Sequence, residues 1–207
     1  MGLKHVSPSG DDANDGTSDA AWPADLRGVT ESIVTTLGPN DRWNVAALGL
    51  FAGDPVTART WGRTRTWRNF TERGGGYVQF SADPVDFVDA ACSIREEDEP
   101  VLESAEAWAK VDAESVDRGT EGDTQWVDWE LTPTESAIER ETVPTTNRGY
   151  YAVVEATVAA SRLDVPGYDS DALRDRIAYF ADVVERCGGP RERDAFERFL
   201  EHTGLDV

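Results

Sequence analysis

The stretch with the most chemical potential runs from Arg59 to Asn69, RTWGRTRTWRN. It sets Arg59, Arg63, Arg65 and Arg68 among Thr60, Thr64 and Thr66. Planar guanidinium forks match phosphate oxygens. Threonine hydroxyls and the free N–H groups of a helix start match them too. A phosphate monoester would meet all three kinds of donor here. The same residues can also cap a helix, through Thr64 or Thr66, and pair with surface acids. Residue types alone leave both readings open. No Gly-rich phosphate loop is present, which argues against a nucleoside triphosphatase.

Other chemistries are poorly supplied. The two histidines, His5 and His202, stand near opposite ends of the chain, so no Ser-His-Asp or Cys-His arrangement is expected. Cys92 and Cys187 are the only cysteines and form no C-x-x-C pair. That excludes a disulfide framework and a thiolate zinc site, and no metal is expected. If the chain is an enzyme, something other than histidine carries the reaction.

Charge narrows the partners. Lys and Arg total 20 against 40 Asp and Glu, a net −20. Binding to nucleic acid or an anionic membrane needs the opposite sign. Lys4 and Lys110 are the only lysines. Carboxylates spread over many segments, with so little lysine, suit a halophilic setting, where salt shortens the Debye length to about 3 Å at 1 M. The expectation is a thermal unfolding temperature that rises with salt; a maximum at low ionic strength would contradict it. No run reaches the roughly 20 apolar residues of a membrane span. The first residues lack the apolar stretch of a signal peptide. Both point to a soluble, cytoplasmic protein.

The elements that must hold the 59–69 stretch follow from the pattern around it. Residues 1 to about 24 are acidic and aperiodic, a disordered tail, with order starting near Leu26. Glu31–Leu37, Trp43–Phe51 and Val56–Trp61 read as strands of an antiparallel meander, the second buried on both faces. Thr64–Arg73 reads as a helix stopped by Gly74, with Gly75 and Gly76 loosening the join to a strand over Tyr77–Phe80. Asp83 and Pro84 start a second helix. The run Glu96–Pro100 reads as a solvated loop. Ala107–Val116 and Thr124–Leu131 suggest a hairpin, and Ser136–Val143 a further strand. Three helices follow. Asn147 caps one through Leu163, with Tyr151, Val154 and Val158 on a face. Ser170 caps the next, and Pro190 opens the last. Strands first and helices second argue for an α+β fold.

Thr64-x-Thr66-x-x-Asn69-Phe70 after a short strand resembles the flavin reductase-type split barrel, where a Ser/Thr-x-Thr-x-x-Asn segment holds the FMN phosphate. The wider pattern is similar to an uncharacterised archaeal and bacterial family of FMN-binding split-barrel proteins, related to pyridoxamine-phosphate-oxidase-like proteins. The features are ESIVTT at Glu31–Thr36, Asn44-Val45-Ala46-Ala47, Thr57-Ala58-Arg59, Thr66–Asn69, Asp83-Pro84 with Phe87-Val88, and Asn147-Arg148 opening a helix with Val154-Glu155-Ala156 and Ser161-Arg162-Leu163. The likeness covers about residues 26 to 165.

The resemblance implies an antiparallel split β-barrel of FMN-binding type over 25–145 and a small C-terminal helical domain over 146–207. It also implies a homodimer with FMN near the subunit interface. Thr64, Thr66 and Asn69 would hold the phosphate, Arg59 or Arg63 would add charge, and Asn44 would lie beside the ring or ribityl chain. Leu48 stands where the family often has methionine, and no proline follows the alanines. Trp61 and Trp67 flank the segment, but aromatics more often serve a core. The function implied is an FMN-dependent oxidoreductase of flavin reductase-like type, its substrate unknown. A non-catalytic flavin carrier or sensor would look the same, and a cofactor-free interaction domain using the C-terminal helices is the third reading.

Overall fold

Residue alternation along the first strands builds a barrel with two buried faces. In β1 (Val29–Leu37), Val34 points into the barrel, where it meets Leu48 and Leu50 of β2 (Trp43–Phe51) and Val56 and Ala58 of β3 (Val56–Trp61). The alternate residues Ile33 and Val45 face outward and are covered by helices. This explains the unbroken apolar run of β2. We describe residues 20–207 in a computed structural model. The expected tail over 1–24 lies mostly outside them. Its described part is packed: Trp22 meets Phe80 edge-on at 6.5 Å and, with Leu26, rests on the barrel core.

The barrel closes with six antiparallel strands in the order β1-β4-β6-β7-β3-β2, β2 pairing back to β1. Here β4 is Gly75–Phe80, β6 Ala107–Glu121 and β7 Thr124–Ile138. One seam is open. β2 pairs with β3 only at Leu50–Ala58 and Phe51–Thr57. At its other end β2 pairs with a short β5 (Arg95–Glu97). The barrel is split between β3 and β5, and α1 (Arg65–Arg73) packs beside that seam, driving Phe70 into the barrel core.

Several expectations are corrected. The acidic run 96–100 contributes to β5, because Arg95 pairs with Asp86 and Glu97 while Glu96 is held by Arg42 and Arg65. Gly75 and Gly76 lie within β4; a Cβ at Gly76 would stand 2.5 Å from the Thr35 carbonyl oxygen, so glycine permits the close β1–β4 approach. The hairpin is longer than expected, 15 residues in each strand, and turns at Gly122 with φ +57°. No separate strand covers 136–143, since β7 runs through Ile138.

The C-terminal helices α3 (Arg148–Ala160), α4 (Ser170–Cys187) and α5 (Pro190–Thr203) pack with α2 (Pro84–Cys92) around Val88, Val153, Ile177 and Phe199. The helical unit is thus built onto a helix of the barrel segment. α3 ends at Ala160, short of Leu163. It buries Ala152, Val153 and Ala156, while Tyr151 is exposed. Small residues there allow the approach of Gly149 to Gly188. Asp169, not Ser170, caps α4. Among the described residues no helix is long and apolar enough to cross a membrane.

Candidate functional site

The open seam gathers most of the sequence candidates around the start of α1. Thr64 is the N-cap: its Oγ1 accepts the Trp67 N–H at 3.2 Å, and its carbonyl accepts the Arg68 N–H at 3.1 Å. That leaves the N–H groups of Arg65 and Thr66, at the positive end of the helix, without a partner among the described residues. Acidic residues stabilise this position in most helices, yet the first turn of α1 has none, in a chain with 40 of them.

Thr66 and Asn69 share the barrel-facing side of α1 and are 5% and 0% exposed. Asn69 does not present its side chain to the opening. Its Nδ2 donates to the Thr36 carbonyl at 3.3 Å and to Thr36 Oγ1 at 3.0 Å, fastening α1 to β1. Its Oδ1 accepts from both Nε and Nη2 of Arg68, each at 3.3 Å. The polar atoms of Asn69, expected from the resemblance to hold the phosphate, are here bonded to Thr36 and Arg68. Thr66 differs, because its hydroxyl bonds to no described residue. No fully buried polar side-chain atom among the described residues lacks a partner.

Asn44 stands on β2 directly across from Thr36 and, on the other side, from Glu96. It is 5% exposed, and its amide likewise bonds to no described residue. The structure thus brings Asn44, Thr66 and, through Thr36, Asn69 to one barrel end. Glu96 closes the neighbouring edge, pairing with Arg65 at 2.5 Å.

The arginines divide. Arg59 lies on the outer face of β3, its Nε and Nη2 bonded to the Asp128 carboxylate at 2.6 and 2.7 Å. Its guanidinium lies 4.0 Å from the Trp126 ring centroid, and the Asp128 hydrogen bonds push its pKa up. Arg59 is thus already paired with a carboxylate of the neighbouring strand. Arg63 is exposed beside Trp67, 5.9 Å from the ring centroid. Among the described residues neither Arg63 nor Arg68 forms an ion pair. Arg68 is the residue that sequence reasoning left off its site. The available signal was its place next to Asn69 and one turn after Thr64.

His202 bonds Asp89 at 2.9 Å between α5 and α2; His5 is outside the described residues. Burial pushes the Cys92 thiol up to about 11, which keeps it protonated. Among the described residues no cluster suits a metal ion. A cleft of about 650 Å³ borders the Trp67 and Phe70 flank of α1, walled by Trp126 and Trp129 with Arg118 beside them.

Residues 30–140 match the family described as "Protein of unknown function (DUF447) N-terminal domain", and residues 147–201 match "Protein of unknown function (DUF447)". An FMN-bound DUF447 protein from Methanosarcina mazei is 25% identical and superposes with a TM-score of 0.72, over 86% of this chain and 96% of that one. The styrene monooxygenase flavin reductase of Pseudomonas putida S12 is 15% identical, with a TM-score of 0.39 over 55% of this chain and 82% of its own. An FMN-binding protein from Thermus thermophilus is 16% identical, with a TM-score of 0.38 over 59% of this chain and 79% of its own. The two family matches span the barrel and the helices behind it, and the chain belongs to the DUF447 family.

Proposed function

We propose that this protein binds FMN at the open seam, with the phosphate at the start of α1, and works as a redox flavoprotein. The observation that carries the reading is the likeness in fold, over most of both chains, to an FMN-bound member of the same family. The chemistry of the seam fits a phosphate monoester. The free N–H groups of Arg65 and Thr66, the unbonded Thr66 hydroxyl and the cations of Arg63 and Arg68 supply donors and charge where the helix end is positive. Asn44 offers an amide to the rest of the molecule. Bound FMN would supply one- and two-electron transfer. The residues' part is to bind and orient it, which is why the absence of histidine from the site is no obstacle. The fold also supports a flavin carrier; steady-state oxidation of NADH, NADPH or a deazaflavin with an acceptor separates the two.

The same reading makes the protein a homodimer with flavin near the interface, and the 44% exposure of Trp61 beside the seam supports it. It also places the protein in a salty cytoplasm, supported by the net −20.

The test is a titration in high salt of the flavin-free protein with FMN and with riboflavin, followed by flavin fluorescence. FMN is expected to bind at least about 100-fold more tightly, since a phosphate held by two or more charge-assisted hydrogen bonds contributes about 3 kcal/mol or more. Equal affinities would contradict a phosphate cradle.

A further inference from the structure

Arg68 belongs to α1 and follows its N-cap by one turn. A helical side chain leans toward the helix N-terminus, over the preceding turn. From position 68 that lean carries the side chain toward the turn of Thr64 and Arg65, where the N–H groups of Arg65 and Thr66 have no partner among the described residues. Its direction is held by Asn69, whose Oδ1 accepts Nε and Nη2 together. Asn69 is fully buried and fastened to Thr36 of β1. The fold thus spends a fully buried amide on aiming one arginine. That arginine meets no carboxylate among the described residues. The other arginines of β3 and α1's first turn, Arg59 and Arg65, are held by Asp128 and Glu96. The second observation at this helix start is the Thr66 hydroxyl, on a residue 95% buried, which bonds to no described residue.

We infer that Arg68 is the arginine that binds the phosphate at the start of α1, and that Asn69 is its positioning residue. This rests on the proposed FMN site and assigns to Arg68 the charge that the resemblance suggested for Arg59 or Arg63. The Nη1 group, which makes no bond to Asn69, and the remaining N–H of Nη2 are free to donate to phosphate oxygens.

The experiment compares FMN and riboflavin affinities of the full chain, Arg68→Gln, Arg68→Lys and the double variant Arg68→Gln/Asn69→Ser, in high salt. Arg68→Gln is expected to weaken FMN binding about 10–100-fold and leave riboflavin binding within about two-fold. Arg68→Lys should recover only part of the loss, since lysine keeps the charge and loses the fork. If Asn69 acts through Arg68, adding Asn69→Ser to Arg68→Gln costs FMN no further affinity, and a merely structural role would weaken both flavins. FMN affinity unchanged in Arg68→Gln, or an equal loss for FMN and riboflavin, overturns the inference while the parent chain still prefers FMN. A parent chain that binds both flavins equally overturns the cradle itself and this assignment with it. Should Asn69→Ser fail to fold, the two single Arg68 variants decide.

Discussion

Phe70→Ala is expected to lower stability by about 3–5 kcal/mol, the range for truncating a buried aromatic. Phe70 is 1% exposed and meets Trp129 edge-on at 5.2 Å inside the barrel. Trp129 is itself buried and donates Nε1 to Thr60 Oγ1 at 2.9 Å, so it has little freedom to collapse into the space left behind. The expected drop in thermal midpoint is about 6–20 °C for a chain of this size. The effect extends beyond stability. Phe70 and Asn69 both seat α1 in the barrel end, one by an apolar and one by a polar contact. Loss of the first loosens the helix start that the phosphate needs, so FMN affinity should fall alongside stability. Thermal unfolding in saturating salt, with and without FMN, measures both. A midpoint shift below about 2 °C would show that α1 is not held by this plug.

Thr66→Val should act in the opposite proportion. Valine keeps the shape of the side chain and removes only the hydroxyl. That hydroxyl makes no hydrogen bond to the described fold, so its loss leaves no protein group stranded and stability should stay within about 1 kcal/mol. A hydrogen bond to a charged phosphate is worth about 1.5–3 kcal/mol, so FMN affinity should fall about 10–100-fold. Riboflavin affinity should not change. A large loss of stability with FMN binding intact would mean that Thr66 serves the helix and not the ligand. Together the two variants separate the residues that seat α1 from those that face the opening.

Much of this was legible in the sequence for identifiable reasons. Short-range signals read well. Thr64, Asp83 and Asn147 cap helices as their types require, and Gly74 ends α1 in the left-handed conformation. These are local hydrogen-bonding decisions, made within four residues. What escaped depends on partners far along the chain. The acidic run at 96–100 looked solvated, but Arg42 and Arg65 pair with Glu96 from 54 and 31 residues away. The site followed the same rule. Thr64 and Thr66 lie where the helix start puts them. Arg59 was drawn off by Asp128, 69 residues later on the neighbouring strand, and no local pattern announces that pairing. Asn69 was recognised as part of the motif, yet its side chain is spent on Thr36, 33 residues earlier. Only that link shows it aiming Arg68. The packing face of α3 was not legible for a related reason: the close approach of the end of α4 selects small residues, which carry no hydrophobic signal of their own.

The central claim is the place of the phosphate. The direct measurement is a crystal structure of the protein soaked with FMN in high salt. The account predicts phosphate density at the start of α1, within hydrogen-bond reach of the Arg65 and Thr66 N–H groups and the Thr66 hydroxyl, with Arg68 still bonded to Asn69. Flavin seated instead in the cleft between α1 and the β6–β7 hairpin, with the helix start bare, would contradict it.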